Sequence, residues 1–263
     1  MKYYDVKNRR LAIFEQKATS HFWDDHWDKD DLQKKFNVNR KSFIIKTTEK
    51  YLESGTKILE GGCGLGDKVH ALSHFGYDAF GIDYAERTVK KTNTLFPNLK
   101  ITCGDVRKIP FPNEYFDGYW SLGVIEHFYD GYTSIIEEMN RVIKKRGYLF
   151  LTFPYMSLLR KLKAMLNKYD QLNNHEIEIS DFYQFMLNKE DVITDLEKIG
   201  FELIQSTPLD AVKGMKDEIS LIKPVLQKIY DSNSFVSRLI GIVFSRAFKY
   251  FSGHTILLVL RKI

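Results

Sequence analysis

Cysteine is scarce in this chain of 263 residues, with only Cys63 and Cys103 present. Neither stands in a CxxC or other metal-ligand spacing, which removes a cysteine-based metal site, and both read as small reduced core residues. Long apolar runs are missing too. No stretch of about eighteen uncharged apolar residues exists, which excludes an ordinary transmembrane span. The opening MKYYDVKNRRLAIFEQK mixes charges and lacks a sustained apolar core, so no secretory signal is expected and the cytoplasm is the expected compartment. Charge of one sign is not in large excess: 39 Lys and Arg against 34 Asp and Glu leave a formal +5. Nucleic-acid binding would call for a concentrated basic face or a base-flipping signature such as N-P-P-Y, and neither is found.

What is present is one stretch that organises the rest, KILEGGCGLGDKV at Lys57 to Val69. A short apolar run leads into Glu60 and glycines at 61, 62, 64 and 66, after which a helical pattern begins. Glycine permits positive φ and close approach of a ligand to the backbone, and a helix start offers unpaired N–H groups. A nucleotide-like cofactor is the natural occupant. The chain length and a hydrophobic content of 44% suit one large α/β domain with insertions.

Before that loop, residues 1–51 read as an N-terminal helical segment with loops. His21 and His26 flank Asp24 and Asp25 in HFWDDHWDKDD, but the spacing matches no metal motif. Phe22, Trp23 and Trp27 are expected to pack on the domain or close over a ligand. From Ile58 onward strand-like and helix-like segments alternate, the pattern of a parallel sheet covered by helices. Strands are expected at Ile58 to Glu60, Asp78 to Ile82, Leu99 to Cys103, Phe116 to Ser121, Tyr148 to Phe153, Phe201 to Ser206 and His254 to Arg261. Helices are expected at Asp67 to Phe75, Ile135 to Ile143 and Lys189 to Lys198. His70 and His74 sit four apart on the first of these and read as surface or packing residues.

Two acids stand at strand ends. Asp83 ends the second strand, where a carboxylate can accept from ribose hydroxyls, or can cap the helix beginning near Ala85. Asp105 follows the third strand, placed to accept from an exocyclic adenine amine while neighbouring backbone donates.

These residues resemble the class I S-adenosylmethionine-dependent methyltransferases, near the group that methylates small molecules such as quinone precursors. The resemblance is carried by E-x-G-x-G-x-G at Glu60, Gly62, Gly64 and Gly66 and by GID at Gly81 to Asp83. It continues through CGDVRKIPFPNEYFD from Cys103, SLGVIEHF at Ser121 to Phe128 and MNRVIKKRGYLFLTFP from Met139. It implies a Rossmann-like, doubly wound α/β sheet of seven strands, mostly parallel with an antiparallel last strand. It further implies S-adenosyl-L-methionine as cofactor and transfer of its methyl group to an O, N or C atom of a small-molecule acceptor. By the same resemblance Gly62, Gly64 and Gly66 would line the methionine part and Glu60 would place its amino group. Asp83 would hold the ribose with Tyr84 beside the adenine, Asp105 and the Val106 amide would read the adenine edge, and Ser121 and Leu122 would supply backbone near the sulfonium. His127 is the candidate base, with a structural role in its loop as the alternative and Glu126 as a residue that orients the loop.

An NAD(P)-dependent oxidoreductase is the rival reading, weakened because Val69 or Asp67 falls where that fingerprint wants a third small residue. A non-catalytic cofactor-binding protein is the other. The methyltransferase domain is expected over residues 52–263, with cap insertions at about 155–188 and 211–253. YMSLLRKLKAMLNKY, Tyr155 to Tyr169, reads as a basic amphipathic helix with Leu158, Leu159, Leu162, Met165 and Leu166 on one side. DQLNNHEIEISDFYQF after it reads as a loop over the active site. In FVSRLIGIVFSRAFKYF the apolar positions 236, 239, 240, 243, 244, 247, 248 and 251 share a helical stripe opposite Arg238, Ser245, Arg246 and Lys249. That stripe is expected to pack on the domain as a cap, with contact to membrane or a lipid-like substrate as the alternative. Basic and aromatic lining hints at an anionic or amphipathic acceptor.

Overall fold

The structure, a computed structural model, describes residues 1–29, 35–174, 178–232 and 234–263. Asp30 and Asp31 of the HFWDDHWDKDD stretch, His175 to Ile177, and the side chains of Val236 and Arg238 lie outside the described residues.

Chain order gives strands β1 (Lys2–Asp5), β2 (Arg10–Phe14), β3 (Lys57–Gly61), β4 (Asp78–Asp83), β5 (Lys100–Cys103), β6 (Phe116–Leu122), β7 (Ile143–Pro154), β8 (Asp170–Gln171), β9 (Phe182–Met186), β10 (Phe201–Leu209) and β11 (Thr255–Lys262). The described helices are α1 (Ser20–Asp28), α2 (Phe43–Tyr51), α3 (Asp67–His74), α4 (Glu86–Leu95), α5 (Thr133–Val142), α6 (Leu158–Met165), α7 (Lys189–Lys198), α8 (Ala211–Glu218), α9 (Lys223–Asp231) and α10 (Phe235–Ser252).

Seven strands form the main sheet in the order β10-β11-β7-β6-β3-β4-β5. All run parallel except β11, which is antiparallel to both β7 and β10. Consecutive residues on its central strands are buried in pairs, Ile58 with Leu59, Tyr119 with Trp120 and Leu149 with Phe150. Successive side chains of a strand point to opposite faces, so each face has its own core, and such doubly buried strands belong to a parallel sheet wrapped by helices. Trp120 donates its indole N–H to Thr48 at 3.0 Å, which fixes α2 on one face.

The N-terminal segment departs from its helical expectation. β1 and β2 form an antiparallel hairpin inside a second sheet of order β8-β1-β2-β9. The stretch after α6, expected as loop, therefore supplies two strands to that sheet, because its aromatic residues Phe182 and Phe185 bury against Phe14 and Arg10. The small sheet is stitched to the carboxyl end of β7 by Leu187, whose amide donates to Pro154 at 2.9 Å and whose carbonyl accepts from Met156 at 2.9 Å.

Helix α6 is also shorter than expected, ending at Met165, and of its apolar side only Leu159 is buried. The long stripe of α10 does not pack as expected either. Phe244 and Phe251 reach the small core of Val212, Met215 and Leu226, while Leu239, Ile240, Val243 and Phe248 are exposed. The reason is local: α8 and α9 are short and cover only one flank of the eighteen-residue helix.

Behind these helices lies a buried charge network. Arg160, fully enclosed, donates to Glu218 at 3.1 Å, to the carbonyls of Tyr155 and His254, and through Nη2 to His254 Nδ1 at 2.9 Å. Since a guanidinium only donates, that nitrogen of His254 must be the unprotonated one. Lys2, Lys163 and Tyr169 also converge on Glu218, tying the first strand to α6 and α8. No described helix is long and apolar enough to cross a membrane.

Candidate functional site

The glycine turn is shaped by what a Cβ would strike. Gly62, Gly64 and Gly66 all take positive φ, +74°, +50° and +75°. A Cβ on Gly62 would fall 2.5 Å from Val124, and one on Gly66 2.1 Å from Ile101. The turn is held by Gly62 and Cys63 amides donating to the Ile82 carbonyl at 2.8 and 3.1 Å. Only glycine satisfies that backbone, and the turn then opens into α3 with Asp67 in its first turn.

A cavity of about 990 Å³ lies over the carboxyl ends of the strands. That is the upper end of the range of roughly 300–1,000 Å³ for small-molecule sites, room for a cofactor and an acceptor together. Of the residues singled out in the sequence, Glu60, Gly62, Asp83, Tyr84, Asp105, Val106, Leu122 and His127 line it. Gly64, Gly66 and Ser121 do not. Gly64 is covered by the Trp27 indole, which a Cβ there would meet at 2.7 Å, Gly66 backs onto Ile101, and the Ser121 hydroxyl is buried without a partner.

The floor of the cavity is acidic. Glu60 is buried, its Oε2 has no hydrogen-bond partner, and burial followed by the nearby Asp67 and Asp83 charges raises its carboxyl well above the ordinary range. Asp83 accepts from the Gly64 amide at 2.8 Å and from the Ala85 amide at 2.8 Å, so it ties the glycine turn to the residue that precedes α4. Burial raises its carboxyl as well, partly offset by those two amides. Asp105 forms a two-pronged pair with Arg107, which holds it below the usual carboxylate range. The Tyr84 hydroxyl donates to the Ala18 carbonyl at 2.8 Å.

The roof is α1, and its anchoring escaped the sequence. Asp24 is buried and accepts from the backbone and the hydroxyl of Thr88, both at 2.8 Å, at the start of α4 whose own cap residue Ala85 has no side chain to offer. Asp25 pairs with Arg87 at 2.6 Å and Asp28 with Lys91 at 2.8 Å. The acids between the two histidines thus hold α1 down. Trp23 and Trp27 then face the cavity.

His127 sits in the turn Ile125–His127 after β6. Its Nδ1 lies 2.7 Å from the Tyr183 carbonyl on β9. A carbonyl only accepts, so Nδ1 carries the proton and Nε2 keeps its lone pair. Burial pushes its pKa down to about 4, with the Tyr183 bond opposing. Trp23 and Tyr183 stand edge-on to its ring at 5.1 Å each. Glu126 beside it is buried with an unpartnered oxygen, and burial lifts it to about 8, so it keeps its proton at neutral pH. Aromatic walls from Phe128, Tyr129 and Phe182 complete this side.

Numbered within the main sheet alone, the strand order is 3-2-1-4-5-7-6. A dinucleotide-binding sheet runs 3-2-1-4-5-6 without the antiparallel insertion. A pyrophosphate would also meet three carboxylates at Glu60, Asp67 and Asp83, whereas a ligand with an ammonium and a sulfonium finds there the charges it lacks. The residues present therefore fit S-adenosylmethionine. The strand order is that of the Rossmann-like methyltransferase fold, and the charges of the site suit S-adenosylmethionine as cofactor.

Comparison with known proteins agrees. Residues 59–151 match the methyltransferase domain family. The chain is 27% identical over 199 residues to a sterol 24-C-methyltransferase of Pneumocystis carinii, covering 71% of this chain and 50% of that one. It is 30% identical over 127 residues to a demethylmenaquinone methyltransferase of Staphylococcus aureus, covering 45% and 52%. The chain spans about half the length of the curated relatives it matches. A SAM-dependent methyltransferase from Archaeoglobus fulgidus shares the fold with a TM-score of 0.54 at 16% identity, over 88% of this chain and 98% of that one.

Proposed function

We propose that the chain transfers a methyl group from S-adenosylmethionine to a small acceptor with an apolar or aromatic body. The observation that carries this is the buried, half-unpartnered Glu60 carboxylate among Asp67 and Asp83 on the cavity floor. When bound, S-adenosylmethionine supplies a methyl group already activated by the sulfonium charge, so the chain has to align the acceptor and exclude water.

In this reading Glu60 holds the ammonium of the methionine moiety, and Gly62 with Leu122 lets the ligand approach the backbone. Asp83 retains free lone pairs for ribose hydroxyls, while Tyr84, Asp105 and the Val106 amide face the adenine. Gly64, Gly66 and Ser121 act one layer below, by fixing the turn and the strand. His127 is neutral at physiological pH, and its Nε2 accepts a hydrogen bond from the acceptor. So low a proton affinity suits orientation better than full proton abstraction. Phe128, Tyr129 and Phe182 supply the apolar contact. The sterol and demethylmenaquinone acceptors named for the two relatives have the same character.

Calorimetric titration with S-adenosylmethionine and with NADH, followed by a methyl-label assay against fractionated extract, tests the reading. Binding of the first ligand and labelled product are expected. Binding of NADH instead would sink it, and S-adenosylmethionine binding with no product from any fraction would point to a non-catalytic binder.

A further inference from the structure

Helices α6 and α10 lie side by side, and both turn apolar residues outward. On α6 and its last turn these are Leu158, Leu162, Met165 and Leu166, Met165 being 69% exposed. On α10 they are Leu239, Ile240, Ile242 and Val243, of which Val243 is 59% exposed. Leu221, just before α9, and Val225 in its first turn are exposed as well, at 88% and 62%, and α9 packs beside α10. Singly exposed apolar residues are ordinary, but a contiguous face on neighbouring helices marks an interaction surface.

The charge around this face names its partner. Residues 155–169 and 220–253 hold nine Lys or Arg against one acid, Asp231, in a chain whose overall balance is 39 to 34. Arg160, Lys161 and Lys163 are engaged with Glu218 and Glu190. Lys168, Lys223, Lys228 and Arg246 form no salt bridge among the described residues. Apolar side chains flanked by unpaired cations are the pattern of a helix lying in the headgroup region of an anionic bilayer. A second copy of the chain would instead set cations against cations across a symmetric contact, which like charge disfavours.

The position of the face fits as well. The segment Ala211–Ser252 joins β10 to β11 at the carboxyl edge of the main sheet, the edge over which the cavity lies. We propose that the paired faces of α6 and α10 dock this protein peripherally on an anionic lipid surface, with the cavity edge toward the bilayer. The docking stands independently of the proposed methyl transfer.

The test is co-sedimentation of the full chain with vesicles of phosphatidylcholine alone and of phosphatidylcholine mixed with phosphatidylglycerol, with light scattering on the lipid-free protein. Binding to the mixed vesicles that weakens with salt is expected. The triple variant Lys223→Gln/Lys228→Gln/Arg246→Gln should lower partition roughly 150-fold, at the usual strength of a basic residue near an anionic surface. Leu239→Ser/Ile242→Ser/Val243→Ser should lower it while the circular dichroism spectrum and S-adenosylmethionine binding stay unchanged. Equal partition with and without phosphatidylglycerol overturns the proposal, and so does a lipid-free dimer that the serine variant dissolves.

Discussion

Replacing Asp24 by Ala would loosen the roof of the cavity without touching its floor. The carboxylate accepts two hydrogen bonds of 2.8 Å from Thr88 and lies 3.4 Å from the Arg87 guanidinium. Burial pushes its pKa up, but the Thr88 and Arg87 bonds win and hold it below the usual range. It is therefore ionised, with its contribution complete above about pH 4 and lost only as the pH falls through its lowered pKa. Leaving both Thr88 donors without this acceptor costs about 3 kcal/mol, and the better helix propensity of Ala returns about 0.5 kcal/mol. The net of about 2.5 kcal/mol is roughly 70-fold in the equilibrium between docked and undocked α1. Hydrogen exchange of the amides in Ser20–Asp28 reads that equilibrium directly, and should accelerate by this factor while the central strands stay protected. Because Trp23 and Trp27 line the cavity, S-adenosylmethionine should restore part of the protection. Unchanged exchange in α1 would show that the Thr88 bonds do not hold the helix down.

Four further outcomes follow from the site and its supports. Glu60→Gln should weaken S-adenosylmethionine binding by roughly 10- to 150-fold, the worth of a hydrogen bond to a charged group, yet raise the melting temperature of the ligand-free protein at pH 7. The second effect arises because burial and the neighbouring acids oppose ionisation of this carboxyl in the fold. His127→Phe should leave calorimetric cofactor affinity unchanged and depress turnover, and equal turnover would remove His127 from the acceptor's contacts. Gly64→Ala should cost about 1–2 kcal/mol from its positive φ alone and displace Trp27, seen as a red shift of indole fluorescence. Burial, with Arg160 and nearby lysines, pushes His254 down to about 2, so the unfolded chain takes up a proton below pH 6.5 that the fold refuses. Stability is then complete above that pH and should fall by about 2 kcal/mol on going from pH 7 to 5 in urea titrations, a loss that His254→Gln should remove.

The glycine turn and the two strand-end acids were legible in the sequence because each answers a local backbone requirement: positive φ at Gly62 and Gly64, and a carboxylate at the end of a strand or two residues beyond it. The alternation of β3 to β7 with its helices was legible for the same reason, since paired apolar residues such as Ile58 and Leu59 mark strands buried on both faces. The small sheet was not. β1, β2, β8 and β9 are short, and what makes them strands is pairing between residues as distant as Leu11 and Met186. Nor could spacing show that Asp24 would cap α4, or that the α10 stripe would find too little surface to cover it. Both depend on which elements meet, and local pattern does not encode that.

The pairing of β2 with β9 also sets the order in which this molecule can mature. His127 gets its proton placement from Tyr183, and β9 is held in register by a hairpin at the other end of the chain. During synthesis at about 5–20 residues per second, the β1–β2 hairpin waits roughly 10–35 s for its partner strand. Throughout that interval Leu11, Ala12, Ile13 and Phe14 form an uncovered apolar edge, the kind of strand that recruits neighbours from other nascent chains. The proton on His127 is consequently among the last features of the site to be fixed, and the growing chain is most vulnerable to misassembly before Met186 leaves the ribosome.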